Sequence, residues 1–122
     1  MYGFIVEGLH DKDKLEQNFS NIKAVHCDGT VMNNRVRRRI DNLILECDEV
    51  FIFTDPDKAG DDFAEVLINN GYDYKRLRLD SDMCKVNRGS KVKIGVEHAD
   101  NKYLQSYFEM QGLKVTTISG VL

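Results

Sequence analysis

The sequence predicts an α/β fold in which a mainly parallel sheet is covered by helices on both faces. Two observations lead to this class. Short apolar runs alternate with segments whose apolar residues recur at the helical period of 3.6. The most strand-like run, residues 50–54, has no polar alternation, which is typical of a strand buried on both faces. With 122 residues the chain is too short for two cores, so residues 1–122 are expected to form a single domain.

The first strand is expected at residues 2–6, a compact apolar run that ends in Glu7. A short helix follows, and a second strand is expected at residues 22–27, where an Asp-Gly turn closes it. A longer helix then begins at Asn33 or Asn34. Its apolar residues fall on one face: Val36, Ile40, Leu43, Ile44 and Cys47.

The second half of the chain continues the alternation after the central strand at residues 50–54. Phe63, Val66 and Leu67 mark another helix, which is stopped by an Asn-Asn-Gly sequence. The remaining predicted elements are an edge strand at residues 74–79, a mobile loop at 80–93, a helix around 103–108 and a strand at 115–118.

Composition excludes several classes of protein. The net charge of −3 argues against binding nucleic acid by bulk positive charge, although it allows a local basic face. No apolar stretch is long enough to span a bilayer, and the first residues lack the pattern of a signal peptide. Three cysteines without a CxxC pair predict neither a disulfide scaffold nor a zinc site, so we expect a cytoplasmic protein.

Three acidic residues follow the two most buried strands. Glu7 ends the first strand, and Asp55 and Asp57 follow the third. Because the carboxyl ends of parallel strands meet at one edge of a sheet, these carboxylates are expected to converge there. Such a cluster suits Mg²⁺ or Mn²⁺, and Gly8 and Gly60 would permit sharp turns and the close approach of a ligand. The alternative is that these acids only cap helices and form a turn.

Two motifs follow one another along the chain: an apolar strand that ends in Glu7-Gly8, and an apolar strand followed by Asp-x-Asp-x-x-Gly at residues 55–60. Their type, order and distance resemble the Toprim domain, which is shared by primases, topoisomerases, recombination proteins, OLD-type nucleases and ribonuclease M5. The likeness is greatest to the ribonuclease M5 group, whose motifs are also similar to Glu7-Gly8-x-x-Asp11, Cys27-Asp28-Gly29-Thr30 and the Gly-Val-Glu-His-Ala sequence at 95–99.

The resemblance implies a three-layer α/β/α, Rossmann-like Toprim fold with a mainly parallel central sheet of four to five strands. It also implies Mg²⁺-dependent (or Mn²⁺-dependent) phosphodiester chemistry, in which Glu7 is the general acid/base and Glu7, Asp55 and Asp57 form the catalytic metal site. Ribonuclease M5 carries an additional carboxy-terminal region. We therefore expect a small stand-alone Toprim protein, whose recognition of substrate is lost, different or supplied by a protein partner.

Other polar residues are weaker candidates. Four basic residues are candidate contacts to nucleic-acid phosphates: Arg37, Arg38, Arg39 and Lys58. A solvated helix surface is the other interpretation of the arginines. A second candidate phosphate-binding patch, or simply a solubilising loop, is formed by Lys85, Arg88, Lys91 and Lys93. The further candidate neighbours of the active site are Gly8, Asp11, Gly60, Glu97 and His98.

The leading hypothesis is a Mg²⁺-dependent nuclease that acts on RNA or DNA, with RNA favoured. The alternative is a non-catalytic or partner-dependent module that binds nucleic acid. A receiver domain of the response-regulator type has a similar length and fold class. It is disfavoured because receivers have paired acids after the first strand and a lysine after the last, whereas here Gly8 follows Glu7 and Ser119-Gly120 follows Ile118.

Overall fold

The computed structural model describes residues 1–118 and shows three parallel strands between two layers of helices. The central sheet has the order β2-β1-β3. Its strands are β1 (Tyr2–Val6), β2 (Ile22–His26) and β3 (Glu49–Ile52). The helices are α1 (Leu9–Asn18), α2 (Asn34–Glu46), α3 (Lys58–Asn69) and α4 (Asn101–Met110). A 3₁₀ turn at Ser81–Cys84, strands β4 (Lys85–Arg88) and β5 (Lys91–Ile94), and a 3₁₀ turn at Val96–His98 lie between α3 and α4.

Side chains of β1 are buried on both faces of the sheet, which confirms the three-layer α/β/α class. Phe4 and Val6 face a core that includes Leu15 of α1 and Phe108 of α4. Ile5 faces the opposite core, which is formed with the apolar residues of α2 and α3. Because neighbouring residues of a strand point to opposite faces, the uninterrupted apolar run of β1 requires a helical layer on each side.

The number of strands predicted for the central sheet, four to five, is wrong for the described residues. Residues 74–79 contribute a single parallel bridge, in which Arg76 pairs with Ile52. The final predicted strand likewise contributes one antiparallel bridge, between Thr117 and Phe19. Neither segment forms a continuous ladder of hydrogen bonds with the sheet. At the start of residues 74–79, the N–H of Tyr74 donates to the carbonyl of Tyr72 in a turn.

The prediction of a mobile loop at residues 80–93 is also wrong, because this segment forms a 3₁₀ turn and then an antiparallel β4–β5 hairpin. Arg88 pairs with Lys91, so the connection is the two-residue sequence Gly89-Ser90, and Gly89 has a φ of +64°. A positive φ at the first position is what a two-residue hairpin turn requires. The Gly-Ser dipeptide was therefore the signal for this hairpin, although the strands around it lack apolar alternation.

None of the helices within residues 1–118 has the length and apolar character needed to cross a membrane. Ser119 and Gly120, which bear on the receiver-domain interpretation, lie outside the described residues.

Candidate active site

Glu7 and Asp55 meet at the carboxyl edge of the sheet, as the order of the strands predicts. The strands β1 and β3 are parallel neighbours, and the N–H of Phe53 donates to the carbonyl of Ile5 at 2.8 Å. This alignment places the backbone N–H of Asp55 2.6 Å from Oε2 of Glu7, to which it donates a hydrogen bond. The Glu7 side chain is buried, with 9% of the residue exposed.

Asp55 is held from two further directions. Its Oδ1 accepts a hydrogen bond from the N–H of Val96 at 2.9 Å. Its carbonyl accepts one from Nη2 of Arg76, also at 2.9 Å. Asp55 is therefore fixed by Glu7 at the end of β1, by the segment after α3 and by the second 3₁₀ turn.

Asp11 joins the same group of acids through α1. Gly8 is the N-cap of this helix, and the Asp11 side chain reaches back to accept from the Gly8 N–H at 3.1 Å. The other oxygen of Asp11 accepts from the N–H of Glu97, also at 3.1 Å. Asp11 thus joins the start of α1 to the second 3₁₀ turn beside Asp55. We refer to Glu7, Asp11, Asp55 and Asp57 as the acidic edge.

Asp57 lies at the N-cap of α3, where its Oδ1 accepts from the N–H of Gly60 at 2.7 Å. The capping interpretation of this residue is therefore correct as structure. It does not compete with a metal-binding role, because the second oxygen of Asp57 accepts no hydrogen bond from any residue in the described part of the chain.

The two glycines differ in why they are needed. The chain does bend at Gly8, between β1 and α1, but with an ordinary extended φ of −122°, so this turn does not require a glycine. Gly60 lies in the first turn of α3, where a Cβ would come 1.9 Å from the carbonyl oxygen of Asp55. The close approach at Gly60 is thus real, but the group that approaches it is the backbone of Asp55. The approach of a ligand to either glycine stays a prediction.

Burial and mutual repulsion hold protons on this edge. Burial raises the pKa of Glu7 to about 8; the Asp55 and Asp57 carboxylates add to the rise, and the hydrogen bond from the Asp55 N–H opposes it. Burial likewise raises the pKa of Asp11 to about 7, with help from the charge of Asp55. The pKa of Asp55 is also raised by burial, against the hydrogen bond from Val96. The carboxyl groups of Glu7 and Asp55 lie within hydrogen-bonding reach, so a proton on Glu7 can be donated to Asp55.

The donor set suits a hard divalent cation. Among residues 1–118, no three His, Cys, Asp or Glu side chains converge closely enough to form a complete metal site. Mg²⁺ does not require one, because it usually binds one or two carboxylates and completes its shell with waters and substrate phosphates. Asp55 and Asp57 could supply oxygen ligands, and a cation would offset the repulsion between carboxylates that adds to the effect of burial on the pKa values of the edge. The residues present fit Mg²⁺ or Mn²⁺.

The other predicted site residues are placed unequally. Glu97 contacts the acidic edge through its backbone N–H, and His98 lies 3.4 Å from the Glu97 carboxylate. Lys58 is exposed and pairs with Asp62 of the same helix at 2.9 Å. Their roles in catalysis or binding stay predictions.

The three arginines of α2 do not form one free surface. Arg37 donates to the side chain of Asn70, and Arg39 donates to Oδ1 of Asp28 at 2.9 Å. Arg38 is exposed and has no partner within the described residues. Asp28 follows β2, so Arg39 lies at the same edge of the sheet as Glu7. Two of the three guanidinium groups thus already have partners in the chain.

Arg76 and Arg78 are the residues of this site that sequence reasoning missed. Both pair with Asp61 of α3, and together they lower the pKa of Asp61 to about 2. Arg76 also holds the Asp55 carbonyl. The alternation over residues 74–79 did place both arginines on one face, but nothing in the sequence paired that face with α3.

Comparison with known proteins agrees with this geometry. A model of the Toprim domain matches residues 3–88, which is most of the chain. The chain belongs to the Toprim domain family. This Toprim chain is 34% identical over 98 residues to a protein named ribonuclease M5 from Mycoplasma mycoides subsp. mycoides SC, a match that covers 80% of the chain. The chain spans about half the length of that curated relative, since the match covers 54% of it.

A solved structure supports the fold independently. The small TOPRIM domain protein from Bacillus stearothermophilus superposes with a TM-score of 0.69 at 22% identity, covering 94% of this chain and 91% of the other. The predicted resemblance to the Toprim family and to ribonuclease M5 is therefore confirmed. Glu7, Asp55 and Asp57 fall inside the matched residues, whereas β5 and the second 3₁₀ turn lie beyond them.

The raised pKa values predict an unusual pH dependence of stability. Glu7 binds its proton more tightly in the folded protein, with a pKa of about 8, than in the unfolded chain, where the ordinary value is 4.5. The free energy of unfolding of the metal-free protein should therefore fall as the pH rises from about 4.5 to about 8. Denaturant titrations in EDTA at pH 5 and pH 8 would measure this fall. A stability that is constant or rises over this interval would contradict the assigned proton.

Proposed function

We propose that this Toprim protein is a Mg²⁺-dependent nuclease that cleaves phosphodiester bonds, with RNA as the favoured substrate. The observation that carries the proposal is the contact between Glu7 and Asp55: a buried carboxyl group with a pKa of about 8 lies beside carboxylates that can bind a cation. Such a group can exchange protons near neutral pH, where general acid–base catalysis is most efficient. The similarity to ribonuclease M5 supports RNA as the substrate class.

Each residue of the acidic edge has a distinct role in this proposal. Asp55 and Asp57 would hold Mg²⁺ or Mn²⁺, which would stabilise the charge that develops on the phosphate oxygens. Glu7 accepts a proton from the attacking group or donates one to the leaving oxygen, according to its protonation state. Arg76 positions Asp55 by holding its carbonyl, and Asp11 positions the second 3₁₀ turn through the N–H of Glu97.

The alternative function is a module that binds nucleic acid without cutting it, or that cuts only with a protein partner. It is supported by the extent of the match to the ribonuclease M5 relative, which covers 54% of that relative.

Cleavage by the purified protein separates the two functions. End-labelled RNA and DNA of the same sequence would be incubated with the full chain in millimolar Mg²⁺, in Mn²⁺ and in EDTA. The nuclease proposal expects products in the presence of either metal, none in EDTA, and faster cleavage of RNA. Binding without cleavage in all three conditions would favour the alternative module.

Asp57→Asn should weaken the stabilisation by Mg²⁺ without disrupting α3. The amide oxygen of Asn can still accept from the Gly60 N–H, so the cap is kept while a negative charge is lost. Saturating Mg²⁺ should stabilise the wild type by about 2.7 kcal/mol at a hundredfold excess over Kd, and Asp57→Asn by less than half of this. Thermal melts in Mg²⁺ and in EDTA measure both values.

Asp62→Asn is the matched control for this comparison. Asp62 lies on the same helix and is exposed, and within residues 1–118 its carboxylate pairs with Lys58 alone. It should therefore show the same Mg²⁺ shift as the wild type. Equal shifts for wild type, Asp57→Asn and Asp62→Asn would remove Asp57 from the proposed metal site.

A further inference from the structure

The β4–β5 hairpin carries three cations on one face. In the antiparallel register Arg88 is opposite Lys91, and Val86 is opposite Lys93. Residues that are directly opposite share a face, as do residues two apart on one strand. Arg88, Lys91 and Lys93 therefore lie together with Val86, and we refer to these three basic residues as the cationic face.

This face is not neutralised within the described chain. None of its three side chains has an ion pair or hydrogen bond with another residue of 1–118, and all three residues are exposed. Asp82, just before the hairpin, pairs with Lys85, whose side chain points to the opposite face. Like charges directly opposite one another destabilise a strand pair, so the pairing of Arg88 with Lys91 has a cost that a bound anion would remove.

The hairpin is attached to the acidic edge through its own backbone. The N–H of Gly95, the residue after β5, donates to the carbonyl of Cys84, the residue before β4, at 3.1 Å. The next two N–H groups, of Val96 and Glu97, donate to Asp55 and Asp11. The base of the hairpin is thus fixed against two carboxyl groups of the site, and Ile94 packs against the core.

We propose that the cationic face binds the phosphodiester backbone of the nucleic acid and guides it to the acidic edge; this inference rests on the proposed function. Lys91 and Lys93 are two residues apart on one face, a separation of roughly 6.6 Å along the strand, so the face is a row of charges rather than a single point. Such a row suits an extended polyanion. Contacts of this kind to phosphates provide affinity and orientation but do not read base sequence.

The test is binding of RNA by a variant that removes the three charges. Arg88→Gln/Lys91→Gln/Lys93→Gln would be compared with the wild type by fluorescence anisotropy, using a labelled single-stranded RNA and a DNA of the same sequence. The titrations are made in EDTA over a range of salt concentrations. We expect at least tenfold weaker binding and a loss of about 2 from the slope of log K against log salt, since each phosphate contact contributes about 0.7 on single strands.

The matched control removes the same number of positive charges elsewhere, in the variant Lys14→Gln/Lys102→Gln/Lys114→Gln. These lysines have no ion pair within residues 1–118 and lie on α1, on α4 and after α4, respectively. This control should keep the wild-type slope. The single variant Lys91→Gln, with an expected loss of about 0.7 in slope, repeats the test if the triple variant folds poorly.

Three results would overturn the proposal. They are an unchanged slope in the hairpin variants, an equal loss in the control, and preferential binding of polyglutamate, which would indicate an acidic protein partner instead. Because binding is measured without metal, the result is independent of cleavage. If the wild type binds RNA through the hairpin but does not cleave it, only the nuclease proposal is contradicted. If the wild type cleaves RNA but its binding does not depend on the hairpin charges, only the proposal for the cationic face is contradicted.

Discussion

Glu7→Gln is expected to slow the cleavage of nucleic acid by about 10²–10⁴-fold, because it removes the group that exchanges the proton. The fold should survive, since the amide oxygen of Gln can accept from the Asp55 N–H and its NH₂ group can donate to the Asp55 carboxylate. Gln imitates the protonated Glu7. The variant should therefore also be more stable than the wild type at pH 8 in EDTA, by about 0.5–2 kcal/mol.

Single-turnover cleavage in saturating Mg²⁺ measures the effect on the chemical step. Glu65→Gln makes the same substitution at an exposed position of α3 and should leave the rate unchanged. A rate for Glu7→Gln within twofold of the wild type would show that Glu7 is not the acid/base.

Gly60→Ala should destabilise the protein more than a glycine-to-alanine substitution at any other glycine within residues 1–118. Alanine is a better helix former than glycine by about 1 kcal/mol, so helix propensity alone predicts stabilisation. The added Cβ would lie 1.9 Å from the Asp55 carbonyl oxygen, however, and this contact decides the sign. Either the start of α3 or the Asp55 backbone must move, and we expect a loss of about 2–4 kcal/mol in stability.

The same displacement should reduce cleavage by about a hundredfold, because a shift of 1 Å at a positioned catalytic group has effects of this size. Gly8→Ala is the matched control. Its Cβ would make only an ordinary contact, 3.6 Å from Oδ2 of Asp11, so its cost should stay within about 1 kcal/mol. Denaturant titrations of both variants compare the two glycines of the motifs. Equal stability of Gly60→Ala and the wild type would contradict the close approach.

The parts of the site that follow strand ends could be predicted from sequence. The apolar runs of β1 and β3 identify buried parallel strands, and parallel strands bring the residues that follow them to one edge. Glu7 and Asp55 therefore meet as expected. The capping role of Asp57 was also visible as an alternative, and the structure shows that the cap uses one oxygen of this carboxylate and that the other accepts no hydrogen bond within residues 1–118.

The contacts that fix this edge could not be predicted, because their partners are distant in sequence. The bond between Asp11 and the Glu97 N–H joins residues 86 positions apart. Arg76 reaches Asp55 and Asp61 from a segment that only lies beside the sheet. The hairpin was missed for a different reason: its strands are mostly exposed and bury too little apolar surface to show a period-2 pattern.

The dependence of the cleavage rate on Mg²⁺ concentration tests the central claim, that the acidic edge is a metal-dependent catalytic site. The account predicts a saturable increase for the wild type, no cleavage in EDTA, and a midpoint at least tenfold higher for Asp57→Asn, with Asp62→Asn unchanged. Cleavage that does not depend on Mg²⁺, or one midpoint shared by all three proteins, would contradict it.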